Sequence, residues 1–159
     1  MKTGGLVPRF VEYEASTVLG IAGVTSNAME MEPATARIGD LWARFYRDDI
    51  PGRVPLKRAP EVPVAVYAGY ESDHAGQYEL TVGMAVDASA HTPEGLVRVS
   101  IPAGTYLLFE AEGDMPRVVI DTWREIWNYF SKPGHVRAYA TDFEVHRGPK
   151  TVEIYISVK

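Results

Sequence analysis

The chain of 159 residues contains no cysteine. That excludes a disulfide framework, thiolate metal sites and a cysteine nucleophile. No apolar run approaches the ~20 residues that a membrane helix needs. The first ten residues, MKTGGLVPRF, lack the apolar stretch of a signal peptide, so a cytoplasmic protein is expected. Positive charge is in short supply: 16 Lys and Arg against 21 Asp and Glu leave a net charge of −5. Phosphate binding wants a basic face, so nucleic acid is not expected as a direct partner, and cations are mildly favoured. There is no G-x-S-x-G elbow, no Walker loop and no G-x-G-x-x-G. The histidines His74, His91, His135 and His146 show no ligand spacing. No catalytic set, metal or cofactor is therefore expected.

What is present is one order of elements, written twice. STVLGIAGVT (16–25) is strand-like. ATARIGDLWARFYRDDI (34–50) places Ile38, Leu41, Trp42 and Phe45 on one helical stripe, with Pro51 as its stop. VPVAVYAGYE and QYELTVGMAV then read as strands around the turn SDHAG. The second half begins with VRVSIPAGTYLLFEAEG, a strand kinked at Pro102-Ala103-Gly104. VVIDTWREIWNYF follows as a helix with Val119, Trp123, Ile126, Trp127 and Phe130 on one stripe, ended by KPG. VRAYATDFEVH and TVEIYISVK close with a hairpin through RGPK.

The repeat extends to single residues: Trp42 aligns with Trp123, Phe45 with Ile126, Glu71 with Glu144 and Glu79 with Glu153. The expected fold class is α+β. It is a duplicated β-α-β-β unit with pseudo-two-fold symmetry, antiparallel sheets, two long helices and a central cleft. Residues 1–9 are expected to form an N-terminal arm, and 10–159 a single ligand-binding domain. Its halves cover about 10–87 and 95–159, joined by DASAHTPEG. Each half alone would expose an apolar helix stripe, so the halves must pack together. The interface of two related halves is a favoured place for a ligand.

Within that frame, YATDFEVH (139–146) is the most informative stretch. Tyr139, Thr141, Phe143 and Val145 alternate as a buried strand face, which leaves Asp142, Glu144 and His146 on the other. That face reads as solvated, or else Glu144 on it faces the cleft. Among the helix aromatics, Trp127 is expected in the core, and Trp42 and Trp123 are candidate cleft walls. Tyr67, Tyr78, Tyr106 and Tyr155 read as strand tyrosines packed half-buried. Glu71, as the mate of Glu144, is a second candidate cleft acid.

The segments VYAGYESDHAGQYELTVGMAV, IPAGTYLLFEAEG, TWREIWNYF, ATDFEVH and VEIYISVK together resemble the GyrI-like small-molecule-binding domain, over about residues 10–159. This is also the effector-binding domain of AraC-type and MerR-type regulators. The resemblance implies a stand-alone binding protein for bulky, planar, cationic aromatic compounds. It places the pocket acid at Glu144 and the aromatic walls at Tyr106, Trp123 and Tyr155. No helix-turn-helix domain precedes residue 10, so DNA binding is not expected of this chain alone. Two further readings follow from the family: a hydrolase of reactive small molecules using Tyr106 or Tyr155 with Glu144, and a protein-interaction inhibitor of a DNA-processing enzyme.

Overall fold

The structure is a computed structural model and describes residues 7–159. The first half runs β1 (Arg9–Tyr13), β2 (Ser16–Ser26), a helical turn α1 (Asn27–Glu30), the helix α2 (Ile38–Arg47), a second helical turn α3 (Ile50–Arg53), β3 (Pro63–Ala68) and β4 (Gln77–Val86). The second half runs β5 (Val97–Ile101), β6 (Gly104–Glu112), the helix α4 (Arg117–Phe130), β7 (Asp142–Gly148) and β8 (Thr151–Ser157). Most of the expected N-terminal arm lies outside the described residues, and Arg9 already belongs to β1.

The strands form one antiparallel sheet in the order β1-β6-β8-β7-β3-β4-β2-β5. The order has the symmetry expected of a duplicated unit. β3 and β7 meet at the centre, β4 matches β8, and β2 matches β6. The first strand of each half seats on the other half: β1 pairs with β6, and β5 with β2.

This exchange explains a departure from the sequence reading. The sequence predicts one kinked strand over 97–113, but the chain breaks at Pro102 and Ala103. The two pieces, β5 and β6, lie towards opposite ends of the sheet. Glu14 and Ala15 make the same break between β1 and β2. Two residues span only ~7 Å, so links this short force the sheet to curl until its ends approach.

The curl buries one face against itself. Val18, Val64, Val66, Ile101, Tyr106, Leu108, Phe143, Val145 and Tyr155 fill that inner face. The other face carries the helices. Leu41 and Phe45 of α2 pack on Leu19, Ile21, Leu80, Val82 and Met84, and Val118 and Ile126 of α4 pack on Leu107, Phe109, Val152, Ile154 and Ile156. The sequence stripe on α4 is rotated by about one residue: Val118, Thr122 and Ile126 face inwards, while Trp127 is 41% exposed and not core. Helix α2 starts later than its pattern implies and ends at Arg47, and Pro51 belongs to the separate turn α3. Its first amides, those of Arg37 and Ile38, donate to the Glu30 carboxylate at 2.8 and 3.2 Å. Glu30 thus caps the helix from α1.

Gly20 and Gly83 face each other across β2 and β4. A Cβ on either would strike the carbonyl of Val82 or Leu19, so only glycine permits this approach. Among the described residues no helix is long and apolar enough to cross a membrane.

Candidate functional site

The two halves meet where β3 pairs with β7. Ala65 stands opposite Glu144, and Tyr67 opposite Asp142. Matching the buried runs of the two halves, Leu19 with Leu107 and Leu80 with Val152, makes Ala65 the structural mate of Glu144. The pseudo-two-fold axis therefore passes between these partners. The duplication put a methyl group on one side of the axis and a carboxylate on the other.

Glu144 is 1% exposed, so the solvated reading of this strand face does not hold. Its Oε2 accepts from the Tyr67 hydroxyl at 2.6 Å and from Trp123 Nε1 at 2.7 Å. Its Oε1 lies 2.8 Å from Nε2 of His146, whose side chain is 15% exposed. Among the described residues no arginine or lysine pairs with it. Aromatic rings surround the group. Trp123 meets Tyr67 at 5.2 Å, Tyr67 meets Tyr78 at 5.5 Å, and Trp42 lies over His146 at 4.8 Å between centroids. Trp123 packs against both helix-side cores, so it bridges the halves directly above the seam. Burial pushes the Tyr67 phenol well above its usual range, and the charge and hydrogen bond of Glu144 push the same way. Tyr67 therefore stays a neutral donor to Glu144.

A second carboxylate lies two residues away on the same strand face. Asp142 is fully buried. It accepts from Arg137 Nη2 at 2.7 Å, the Tyr70 hydroxyl at 2.5 Å, the Ser157 amide at 2.8 Å and Ser157 Oγ at 3.0 Å. The Arg137 guanidinium lies over the rings of Tyr139, Trp123 and Tyr70 at 4.3, 5.7 and 5.9 Å. Burial works most strongly against its charge, but the charge and hydrogen bond of Asp142, together with Tyr70 and Tyr139, raise its pKa overall.

Of the sequence candidates, Glu144 and Trp123 touch directly, and Trp42 joins them through His146. Tyr106 and Tyr155 do not reach them. Tyr155 is the cross-strand partner of Phe143, and such partners share a face. Phe143 and Glu144 are adjacent on one strand and so point to opposite faces. Tyr155 stacks on Phe143 at 4.5 Å, and Tyr106 meets it edge-on at 5.2 Å, both on the inner face. The tyrosine that meets Glu144 is Tyr67, so the pairing of Tyr106 or Tyr155 with Glu144 is absent. Glu71 is likewise displaced. Strand β3 ends at Ala68, and Gly69 turns the chain away with φ 61°. Glu71 is exposed in that turn, and its carboxylate accepts from the Gln77 amide.

Sequence reasoning missed Tyr67, His146, Asp142 and Arg137 as members of the site. Asp142 and His146 carried a signal, since they share the face of Glu144 by alternation. Tyr67 and Arg137 carried none.

With this geometry in view, the match to known proteins is direct. The family described as Cass2, integron-associated effector binding protein, matches residues 9–158. The chain belongs to that family. An integron cassette protein of the Vibrio cholerae mobile metagenome, VCH_CASS2, is 37% identical over 96% of this chain and 95% of its own, with a TM-score of 0.82. YobU of Bacillus subtilis strain 168, described as a candidate transcriptional regulator, is 28% identical over 88% of this chain and 90% of its own. The protein SAV2435, solved with tetraphenylphosphonium bound, shares the fold at 19% identity, covers 97% of this chain and 94% of its own, and has a TM-score of 0.74. The Cass2 family is one of effector-binding, small-molecule-binding proteins, so the GyrI-like reading of the sequence stands. The seam between β3 and β7, roofed by Trp42 and Trp123, is the candidate effector site.

Proposed function

We propose that this protein binds bulky aromatic organic cations at the seam, with Glu144 as the counter-charge and Trp42, Trp123, Tyr67 and Tyr78 as walls. The observation that carries this reading is Glu144 itself: a carboxylate 1% exposed, held by Tyr67, Trp123 and His146, with no arginine or lysine paired to it among the described residues. A buried, uncompensated charge is costly to keep, and a ligand of opposite charge relieves that cost. Aromatic faces add roughly 0.5–2 kcal/mol each against a cation. The tetraphenylphosphonium found on SAV2435, which shares this fold, is a bulky aromatic cation of this kind.

Glu144 is shut off from solvent in this structure. Surface cavities of about 200 and 310 Å³ lie elsewhere, beside α2 and on the β1–β2 side, and Glu144 lines neither. Entry therefore requires the partly exposed roof, His146 with the indoles of Trp42 and Trp123, to move aside. Tyr106 and Tyr155 lie on the inner face and are not walls of the seam.

Thermal melting with tetraphenylphosphonium and with tetraphenylborate tests the reading, since the two ions share one outline and differ in sign. A cation at ~100 times its dissociation constant stabilises by ~2.7 kcal/mol, or roughly 5–10 °C for a chain of this size. Tetraphenylborate should give no shift. Equal shifts would mean that the seam selects grease and not charge.

A further inference from the structure

Resting on that reading, we propose that Arg137 is a specificity-determining residue: it restricts the seam to ligands with a single positive charge and offers their far end a hydrogen-bond donor.

The strand face carries two buried carboxylates, Asp142 and Glu144, about 7 Å apart along the strand. Arg137 neutralises the first at 2.7 Å, and no arginine or lysine among the described residues neutralises the second. With the His146 imidazole in its neutral form, the site thus keeps one net negative charge, which one cation cancels. Arg137 already sits as a cation among three rings, those of Tyr139, Trp123 and Tyr70. One of them, Trp123, is also the donor to Glu144. A ligand lying along Trp123 with its charge on Glu144 therefore points its far end towards the guanidinium. A second positive charge there meets repulsion in a poorly hydrated site.

Arg137 cannot easily retreat. Its backbone bridges Val158, with the Ala138 amide donating to Ser157 and the Lys159 amide to Val136, both at 2.9 Å. Its Nε is a buried side-chain donor with no partner. Buried donors without acceptors are rare. A neutral acceptor on the ligand, such as an ether, carbonyl or hydroxyl oxygen, would satisfy it, and a cationic group would not.

Ethidium and propidium test this, because they share one phenanthridinium ring system and carry one and two positive charges. Their affinities are measured by fluorescence titration with wild type, Arg137→Gln, Asp142→Asn and Glu144→Gln. Wild type should prefer ethidium by about tenfold or more. Arg137→Gln leaves Asp142 uncompensated and should narrow or invert that ratio. Asp142→Asn leaves Arg137 uncompensated and should weaken ethidium while widening the ratio. A merely structural role for the pair would move both ratios in the same direction, or neither, and that result overturns the inference. If Arg137→Gln does not fold, the wild-type ratio and Asp142→Asn decide. Equal wild-type affinities for the two dyes, or a ratio unchanged in Asp142→Asn, overturns it. Glu144→Gln separates the two levels. If it leaves ethidium binding intact, or wild type binds neither dye, the cation reading fails and this inference falls with it. If it weakens ethidium but the other ratios stay fixed, only the role of Arg137 is refuted.

Discussion

Replacing Glu144 by glutamine removes the charge of the seam and nearly preserves its shape. The amide oxygen can still accept from the Tyr67 hydroxyl and Trp123 Nε1, which now contact Oε2 at 2.6 and 2.7 Å. The amide nitrogen then faces His146 Nε2, which accepts when the imidazole proton sits on Nδ1. Each exchange of a charged for a neutral acceptor costs about 1 kcal/mol. Against this, a buried charge that no arginine or lysine pairs with disappears, which relieves several kcal/mol. The empty variant is therefore expected to melt at or above the wild-type temperature. Binding should move the other way. A ligand cation about 5 Å from the carboxylate gains about 3 kcal/mol at an effective dielectric constant near 20. Losing it weakens binding about 100-fold. Triphenylphosphine oxide, neutral and similar in outline, should bind both proteins equally. Calorimetric titration at pH 7.5 with tetraphenylphosphonium, whose charge is permanent, reads the difference directly. If the variant binds it as tightly as wild type, the buried carboxylate is a structural feature of the seam and the electrostatic reasoning is wrong.

The remaining expectations concern the tyrosines. Tyr106→Phe and Tyr155→Phe should leave cation affinity within about twofold, since both rings lie on the inner face; a tenfold loss from either would mean that the ligand enters from that side. Tyr155→Phe also removes a 2.8 Å hydrogen bond to Glu153, at a cost of about 1.5–3 kcal/mol in urea unfolding. Tyr67→Phe should cost a similar amount at neutral pH, because it deletes a donor to a charged acceptor. Its alkaline behaviour is the sharper measurement. Burial, reinforced by Glu144, holds the folded Tyr67 pKa well above the reference of 10.0. The neutral phenol therefore contributes stability that is complete below pH 10. It is lost as pH climbs from 10 towards the folded value, at up to ~1.4 kcal/mol per pH unit. Unfolding measured from pH 8 to 12 should fall less steeply in Tyr67→Phe, and identical slopes would refute the assignment.

The architecture was legible because alternation and helical stripes report which side of an element is buried, whatever it is buried against. That sufficed for the repeated β-α-β-β order and for two helices that each lay an apolar stripe on the sheet. The exchange of β1 and β5 was not legible, because nothing local distinguishes a kink at Pro102-Ala103 from a break between strands that end up far apart. The site was readable in proportion to how far it depends on one strand. Asp142, Glu144 and His146 share a face by simple alternation. Tyr155 and Tyr106 could be placed only with the register across β6, β8 and β7, which the sequence does not state. The alignment of Glu71 with Glu144 failed for a related reason: β3 ends at Ala68, so matching acids by local resemblance crossed the end of a strand. Arg137 finds Asp142 through a segment whose Tyr139 adopts φ 51°, a conformation no periodicity announces.

The reciprocal seating of β1 and β5 makes the chain equivalent to a strand-swapped homodimer whose two subunits have been joined through residues 87–95. Cutting that connection would not release two independent pieces, since the ladders β1·β6, β2·β5 and β3·β7 all cross from one half to the other. Fragments made by such a cut should assemble with each other, and each should lack an intact curl when alone. The same topology shows why a ligand-binding acid could arise here without breaking symmetry elsewhere. In a dimer of identical halves, both positions on the axis must change together, and two facing carboxylates would repel across a single pair of β-strands. Fusion into one chain lifted that constraint, so the axis could carry a carboxylate on one side and the methyl group of Ala65 on the other.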